Sequence, residues 1–111
     1  MKILLDHNLD RRLKNHLADF DCSTTQERGW ASALNGELIP PAENDGCEVM
    51  LPADSNIKTQ QNLTGRRISI LVFRAFNNRL ATHVEMLERV RVELGRIGRG
   101  EIVEVFQEQD S

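Results

Sequence analysis

The 111-residue chain has no tyrosine, one tryptophan and two cysteines, and it lacks both a long apolar run and an excess of basic residues. Each shortage excludes something. Cys22 and Cys47 are too few and too far apart for a disulfide scaffold or a Cys-x-x-Cys motif, so packed, reduced thiols are expected. The longest apolar stretch, Ile68 to Phe73 with Ser69 inside it, falls far short of the ~20 residues that cross a bilayer. The start, Met1-Lys2-Ile3-Leu4-Leu5-Asp6, meets an acid after three apolar residues and forms no secretory segment, so a cytoplasmic location and no membrane contact are expected. No Gly-x-Gly-x-x-Gly follows any apolar run, which removes a dinucleotide-binding module. There is no internal repeat, low-complexity tract or linker. With 14 Lys plus Arg against 17 Asp plus Glu, the formal charge is −3, which argues against nonspecific binding to long nucleic acid.

What is present reads as alternating strands and helices. Lys2 to Leu5 is a short buried strand. Asn8 offers an N-cap, and Leu9, Leu13, Leu17 and Phe20 recur at helical spacing among charged residues, predicting an amphipathic helix. Phe20 to Thr25 favours extended structure. Asn35-Gly36 opens a helix that Asp45-Gly46 closes, and Pro40 with Pro41 predicts a broken or 3₁₀ first turn. Cys47 to Leu51 and Ile68 to Phe73 are further buried strands of the kind found in parallel sheets. Leu80, Val84, Leu87, Val90, Leu94 and Ile97 mark a long helix ended by Gly98 and Gly100, and Ile102 to Phe106 is a last strand. The pattern predicts one three-layer α/β domain over residues 1–106, with a central, mostly parallel sheet, right-handed crossovers and a frayed tail over 107–111.

In such sheets ligands bind beyond the carboxyl ends of the strands. Asp6 and Asp54 both follow strands and should emerge on that edge, and Glu37 at a helix start can join them. Three converging carboxylates repel one another, and Mg²⁺ or Mn²⁺ is the natural compensation. Singly, each acid has a plainer role: Asp6 in a turn, Glu37 as a first-turn helix acid, Asp54 as a helix cap. If the three form one cluster, the remaining acids equal the Lys plus Arg in number, and the whole surplus of negative charge lies in the site. His7 is the one histidine near it, as a candidate for substrate contact; His16 and His83 show no ligand spacing. Arg66 reads as a turn or capping residue, and Trp30 as core or interface before it reads as a base-stacking platform.

Four blocks together carry a resemblance. Asp6-His7-Asn8-Leu9 after an apolar strand, Gly29-Trp30 before Asn35-Gly36-Glu37-Leu38, Ala53-Asp54-x-Asn56, and Gln60-Gln61-Asn62-Leu63-x-Gly65-Arg66 before another strand resemble the DUF5615 PIN-like proteins in order and spacing. The resemblance covers residues 1–106 and implies a PIN-like nuclease domain with an acidic, metal-dependent ribonuclease site. It implies Asp6, Glu37 and Asp54 as catalytic and metal-binding residues, and Mg²⁺ or Mn²⁺ as cofactor. Asn8 and Asn56 would face the substrate, and Arg11, Arg12 and Lys14 would lie against the RNA backbone, although a solvated helix face is their plainer reading. Its implied setting is the toxin of a type II toxin–antitoxin pair, with RNA as substrate and an antitoxin-like DUF433-type small protein as partner. Separately from the resemblance, an exposed apolar stripe on the Leu80 to Ile97 helix would point to a homodimer. The chain departs from the family at Pro52, where Thr or Ser is usual, and at Pro40-Pro41, where the helix is continuous. It also offers no clear counterpart of the fourth acid that many PIN nucleases carry. A catalytically degenerate PIN-like module that binds an antitoxin-like partner is therefore the rival reading. A phosphoacceptor receiver domain has a similar layout but needs paired acids after its first strand and a Lys after its last but one, and Lys2, Lys14 and Lys58 are not so placed.

Overall fold

Four consecutive apolar or half-buried residues start the first strand, β1 (Lys2–Leu5), whose side chains alternate across the sheet: Ile3 and Leu5 to one face, Leu4 to the other. The structure, a computed structural model, describes residues 1–30, 35–53, 63, 65–77 and 79–107. After β1 come a 3₁₀ helix (Arg11–Leu17), β2 (Asp21–Thr24), α1 (Asn35–Asn44), β3 (Val49–Leu51), β4 (Ser69–Arg74), α2 (Leu80–Leu94) and β5 (Ile102–Phe106). The five strands form one all-parallel sheet in the order β2-β1-β3-β4-β5.

Both faces are covered, which is why the strands are apolar on both sides. One face carries Ile3, Leu5, Val49, Leu51, Leu71, Phe73 and Val105 against Leu13 and Leu17 of the 3₁₀ helix and Met86, Leu87, Val90 and Leu94 of α2. The other carries Leu4, Met50, Ile70 and Val72 against Leu38, Ile39 and Ala42 of α1. The result is the expected three-layer α/β arrangement. Arg91 of α2 fastens the two helices of the first face together, its Nη2 donating to the His16 carbonyl at 2.5 Å and meeting Asp19 Oδ1 at 3.1 Å. No helix among the described residues is long and apolar enough to cross a membrane.

Several expectations are corrected. The first helix is 3₁₀ and not α, and its cap is Asp10, whose carboxylate accepts from the Arg12 N–H, and not Asn8. This segment must carry the chain back along a four-residue strand, about 13 Å long; seven residues at the 3₁₀ rise span about 14 Å, where an α-helix would span about 10 Å. α1 runs unbroken from Asn35 through Pro40 and Pro41. The two prolines leave the Gly36 and Glu37 carbonyls without their usual donors, but proline's φ is itself helical. Burial of Leu38, Ile39 and Ala42 then holds the turn, as packing overrides propensity. Its end is as expected: Gly46 at φ +86° donates to the Glu43 carbonyl and Cys47 to the Ala42 carbonyl, a Schellman motif. α2 stops at Leu94 with Gly95 in right-handed conformation, before Gly98. Gln107 is tied to the sheet, its N–H donating to the Arg74 carbonyl and its Oε1 accepting from Phe76, and the rest of the expected tail lies outside the described residues.

The crossovers do not all share one hand. Those through α1 and α2 both advance the chain toward the β5 edge, yet α1 lies on one face and α2 on the other, so one of the two is left-handed. The short 3₁₀ helix leaves the β4–β5 part of its face bare, and α2 fills that space.

Candidate functional site

Strand order reverses at β1, whose successor β2 lies on one side and whose next neighbour β3 lies on the other, and this is where open α/β sheets form a crevice. Asp6 stands there. Its N–H donates to the Leu51 carbonyl at 3.0 Å, which extends the β1–β3 ladder by one residue, and its carbonyl accepts from Leu9 at 3.0 Å. The carboxylate is 6% exposed as a residue; Oδ1 accepts from the Asn8 N–H at 2.9 Å and Oδ2 from the Ala53 N–H at 3.2 Å. The plainer reading of Asp6 as a turn residue is therefore met, and the same two bonds join the ends of β1 and β3. Each oxygen keeps a further acceptor position for a ligand.

His7 sits beside it. Its N–H donates to Thr25 Oγ1 at 2.9 Å, its ring Nδ1 lies 2.7 Å from the same oxygen, and Nδ1 is 3.6 Å from Asp6 Oδ1. Thr25 follows β2 and is buried. The pairing of Leu5 with Thr24 carries its neighbour to this place. Asn8 is exposed next to Asp6, where its side chain is free to meet a ligand.

The other acids fare differently. Glu37 is exposed in the first turn of α1, a position the helix dipole favours, with no hydrogen-bond or ion-pair partner among the described residues. Asp54 and Asn56 lie outside the described residues; Ala53, the residue before Asp54, is the one whose amide binds Asp6. Among the described residues no three His, Cys, Asp or Glu side chains are grouped to hold a metal ion. Mg²⁺ takes one or two carboxylates and otherwise keeps its waters, so Asp6 fits such an ion as one carboxylate ligand.

The basic residues of the 3₁₀ helix line an open cleft of about 460 Å³ with Thr24, Gln26 and Glu27, beside the end of β2. Two of them are occupied. Arg12 forks onto Asp10, Nη2 to Oδ2 at 2.7 Å, which holds the Asp10 carboxyl down at about 2. Lys14 meets Glu27 at 2.8 Å, and that contact lowers the Glu27 carboxyl. Arg11 is exposed and has no such partner among the described residues. These surface pairs are weak and exchange readily for a polyanion.

Trp30 packs against the α1 face, with the Arg28 guanidinium 5.9 Å from its ring centroid, as its core reading expects. Cys47 is buried and Cys22 half-buried, both unbridged; burial pushes the Cys22 thiol up to about 11 and also raises that of Cys47, so neither is a nucleophile at neutral pH. A second cleft of about 320 Å³, lined by Glu43, Cys47, Arg67 and Arg99 among others, lies at the strand starts, opposite Asp6. The receiver alternative gains nothing from the strand order, because His7 follows Asp6 and Arg74 with Ala75 closes β4.

Sequence reasoning missed Thr25 and the Ala53 amide. Their signal is the pairing of β1 with β2 and β3, which no local pattern contains. Comparison of the chain with protein-family models, with curated proteins and with solved structures found no match.

Proposed function

We propose that the protein is a Mg²⁺- or Mn²⁺-dependent endoribonuclease, the toxin of a toxin–antitoxin pair held by an antitoxin-like small protein. The observation that carries this reading is the placement of Asp6: a buried carboxylate at the strand-order reversal, tied to the ends of β1 and β3 by the Asn8 and Ala53 amides. The four-block resemblance to DUF5615 PIN-like proteins supplies the rest. In this reading Asp6, Asp54 and Glu37 hold the ion, which when bound polarises the phosphodiester and activates a water. Asp6 is prepared for its part, because the two amides fix the carboxylate's orientation before any ligand arrives. Asn8 and Asn56 contact the substrate, and Arg11, with Arg12 and Lys14 once released from Asp10 and Glu27, tracks its backbone from the neighbouring cleft.

The test is incubation of the purified protein with RNA, with Mn²⁺ or with EDTA, beside Asp6→Asn. Cleavage that needs Mn²⁺ and is lost in the variant supports the reading; cleavage in EDTA, or full activity of the variant, overturns it. The occupied state of Arg12 and Lys14 favours a second reading, a degenerate PIN-like module that binds the antitoxin-like protein without cutting RNA. Tight binding to such a partner with no cleavage under any metal selects it. A homodimer built on an apolar stripe of α2 lacks support, since that stripe is spent on the core and Val92 alone among its large apolar residues is exposed.

A further inference from the structure

His7 is held in a way that a solvent-facing turn residue does not require. Thr25 is 1% exposed, so its hydroxyl hydrogen needs a protein acceptor. Its oxygen already accepts the His7 backbone N–H at 2.9 Å, and the acceptor within reach of its hydrogen among the described residues is His7 Nδ1 at 2.7 Å. With Nδ1 as acceptor every group in the pair is satisfied, and the ring hydrogen must then sit on Nε2. The opposite tautomer would point an N–H at Thr25 and leave the buried hydroxyl hydrogen without a partner. Asp6 does not reverse this choice: its Oδ1 is 3.6 Å from Nδ1, beyond hydrogen-bond range, and is engaged by the Asn8 amide. The His7 side chain is 30% exposed, and Nε2, on the far side of the ring, has no partner among the described residues.

We propose that Thr25 locks His7 as an Nε2–H donor that binds a phosphate oxygen of the substrate beside Asp6. The proposal rests on the phosphodiester reading of the site and adds a substrate-binding residue, His7, and a positioning residue, Thr25, neither of which that reading needs. The placement suits a phosphate oxygen because the ring presents an N–H donor next to Asp6, the carboxylate that would hold the ion in the proposed site. The side chain is oriented from beneath by a buried group, so the donor is in place before the substrate arrives.

The experiment uses the full chain labelled with ¹⁵N. Long-range ¹H–¹⁵N correlations at alkaline pH should show the Nε2–H form of His7 in the wild type, a mixture of forms in Thr25→Val, and the Nε2–H form again in Thr25→Ser. An Nδ1–H form in the wild type overturns the proposal without recourse to any variant. Inorganic phosphate, added with Mg²⁺, should shift the His7 Nε2 resonance, and Thr25→Val should weaken that binding about tenfold; a ring that phosphate does not perturb overturns it. In the cleavage assay His7→Ala should raise KM for RNA more than it lowers kcat, and unchanged constants overturn the proposal while leaving the nuclease reading intact. A wild type that shows the Nε2–H form and binds phosphate at His7 but cuts no RNA removes the nuclease reading and supports this one.

Discussion

The imidazole of His83 lies against the ring of Phe73, with centroids 4.5 Å apart and planes inclined by 31°. His83 is 0% exposed on the core side of α2, and neither ring nitrogen has a hydrogen-bond partner among the described residues. Phe73 belongs to β4, so the contact pins α2 to the sheet through an aromatic pair whose polar half is unsatisfied. Burial holds the His83 pKa below its ordinary 6.5.

A pH dependence of stability follows. The unfolded chain protonates His83 at its ordinary pKa, whereas the folded chain resists the proton until a lower pH. The unfolded state therefore binds more protons between the two values, and stability rises with pH there. It should be full above about pH 6.5 and fall as the solution is acidified through that value. His83→Leu removes both the orphaned nitrogens and the titration. Urea unfolding should show it to be about 1 kcal/mol more stable than the wild type near neutrality, with a wider margin in mild acid. An equal slope against pH in both proteins would locate the acid sensitivity elsewhere.

Two glycines separate conformational strain from steric strain. Gly46 has φ +86° with nothing within 4 Å of the position a Cβ would take, so Gly46→Ala should cost only the left-handed penalty, about 1 to 2 kcal/mol. Gly100 has φ +72°, and a Cβ there would stand 2.9 Å from the Leu63 carbonyl oxygen and 3.0 Å from that of Arg66. Gly100→Ala must add displacement of two backbone segments to the same penalty and should be the more destabilising. Thermal unfolding of the pair checks the order; equal melting temperatures would contradict it.

The prolines of α1 give an opposite expectation. Replacing Pro41 by Ala restores an N–H for the Glu37 carbonyl and removes a helix-interior penalty of about 3 kcal/mol; roughly 0.4 to 1 kcal/mol of this is returned because the unfolded chain becomes more flexible. Pro41→Ala should therefore stabilise the protein, by about 1 to 2 kcal/mol after local packing losses. If Glu37 is a site residue, its position in the first turn is kept and RNA cleavage should not fall. A loss of cleavage in a stabilised Pro41→Ala protein would mean that the altered turn sets the carboxylate's place.

Much of the fold was readable because it is written in local pattern. The boundaries of β1 and β5 followed from apolar content with the acids and glycines that flank it, and the close of α1 at Asp45-Gly46 followed from a glycine where a left-handed residue was needed. The 3₁₀ helix was read as α because Leu9, Leu13 and Leu17 are buried in either form; what chooses between them is the distance the chain must cover, a property of the sheet. His83 was passed over because a histidine on a helix carries no sign of which face it occupies. Its neighbours Met86, Leu87 and Val90 at spacings of three and four were the clue. Asp6 was legible as a strand-end acid. Its distant partner Ala53, and the Thr25 hydroxyl that holds the neighbouring His7, were not, since both arrive only through the parallel pairing of β1 with β3 and β2.

The structural and functional roles of Asp6 predict different consequences for one substitution. Asp6→Asn keeps the shape and an oxygen for one amide, but its NH₂ then faces the other, Asn8 or Ala53, donor against donor. That mismatch should cost about 1 to 3 kcal/mol of stability whether or not a metal binds. If Asp6 were only a turn residue, cleavage would decline just as far as the folded fraction does, and Mn²⁺ would leave the melting temperature of wild type and variant alike unmoved. If it holds the ion, Mn²⁺ should raise the wild-type melting temperature by mass action, by about 2.7 kcal/mol of stabilisation at a hundred times the Kd. The variant should show little response, and its cleavage, measured well below its own melting temperature, should fall by about a hundredfold or more, the scale of a lost electrostatic contact to the reacting group. Parallel melting curves and cleavage rates for the two proteins, with and without Mn²⁺, decide between the two roles.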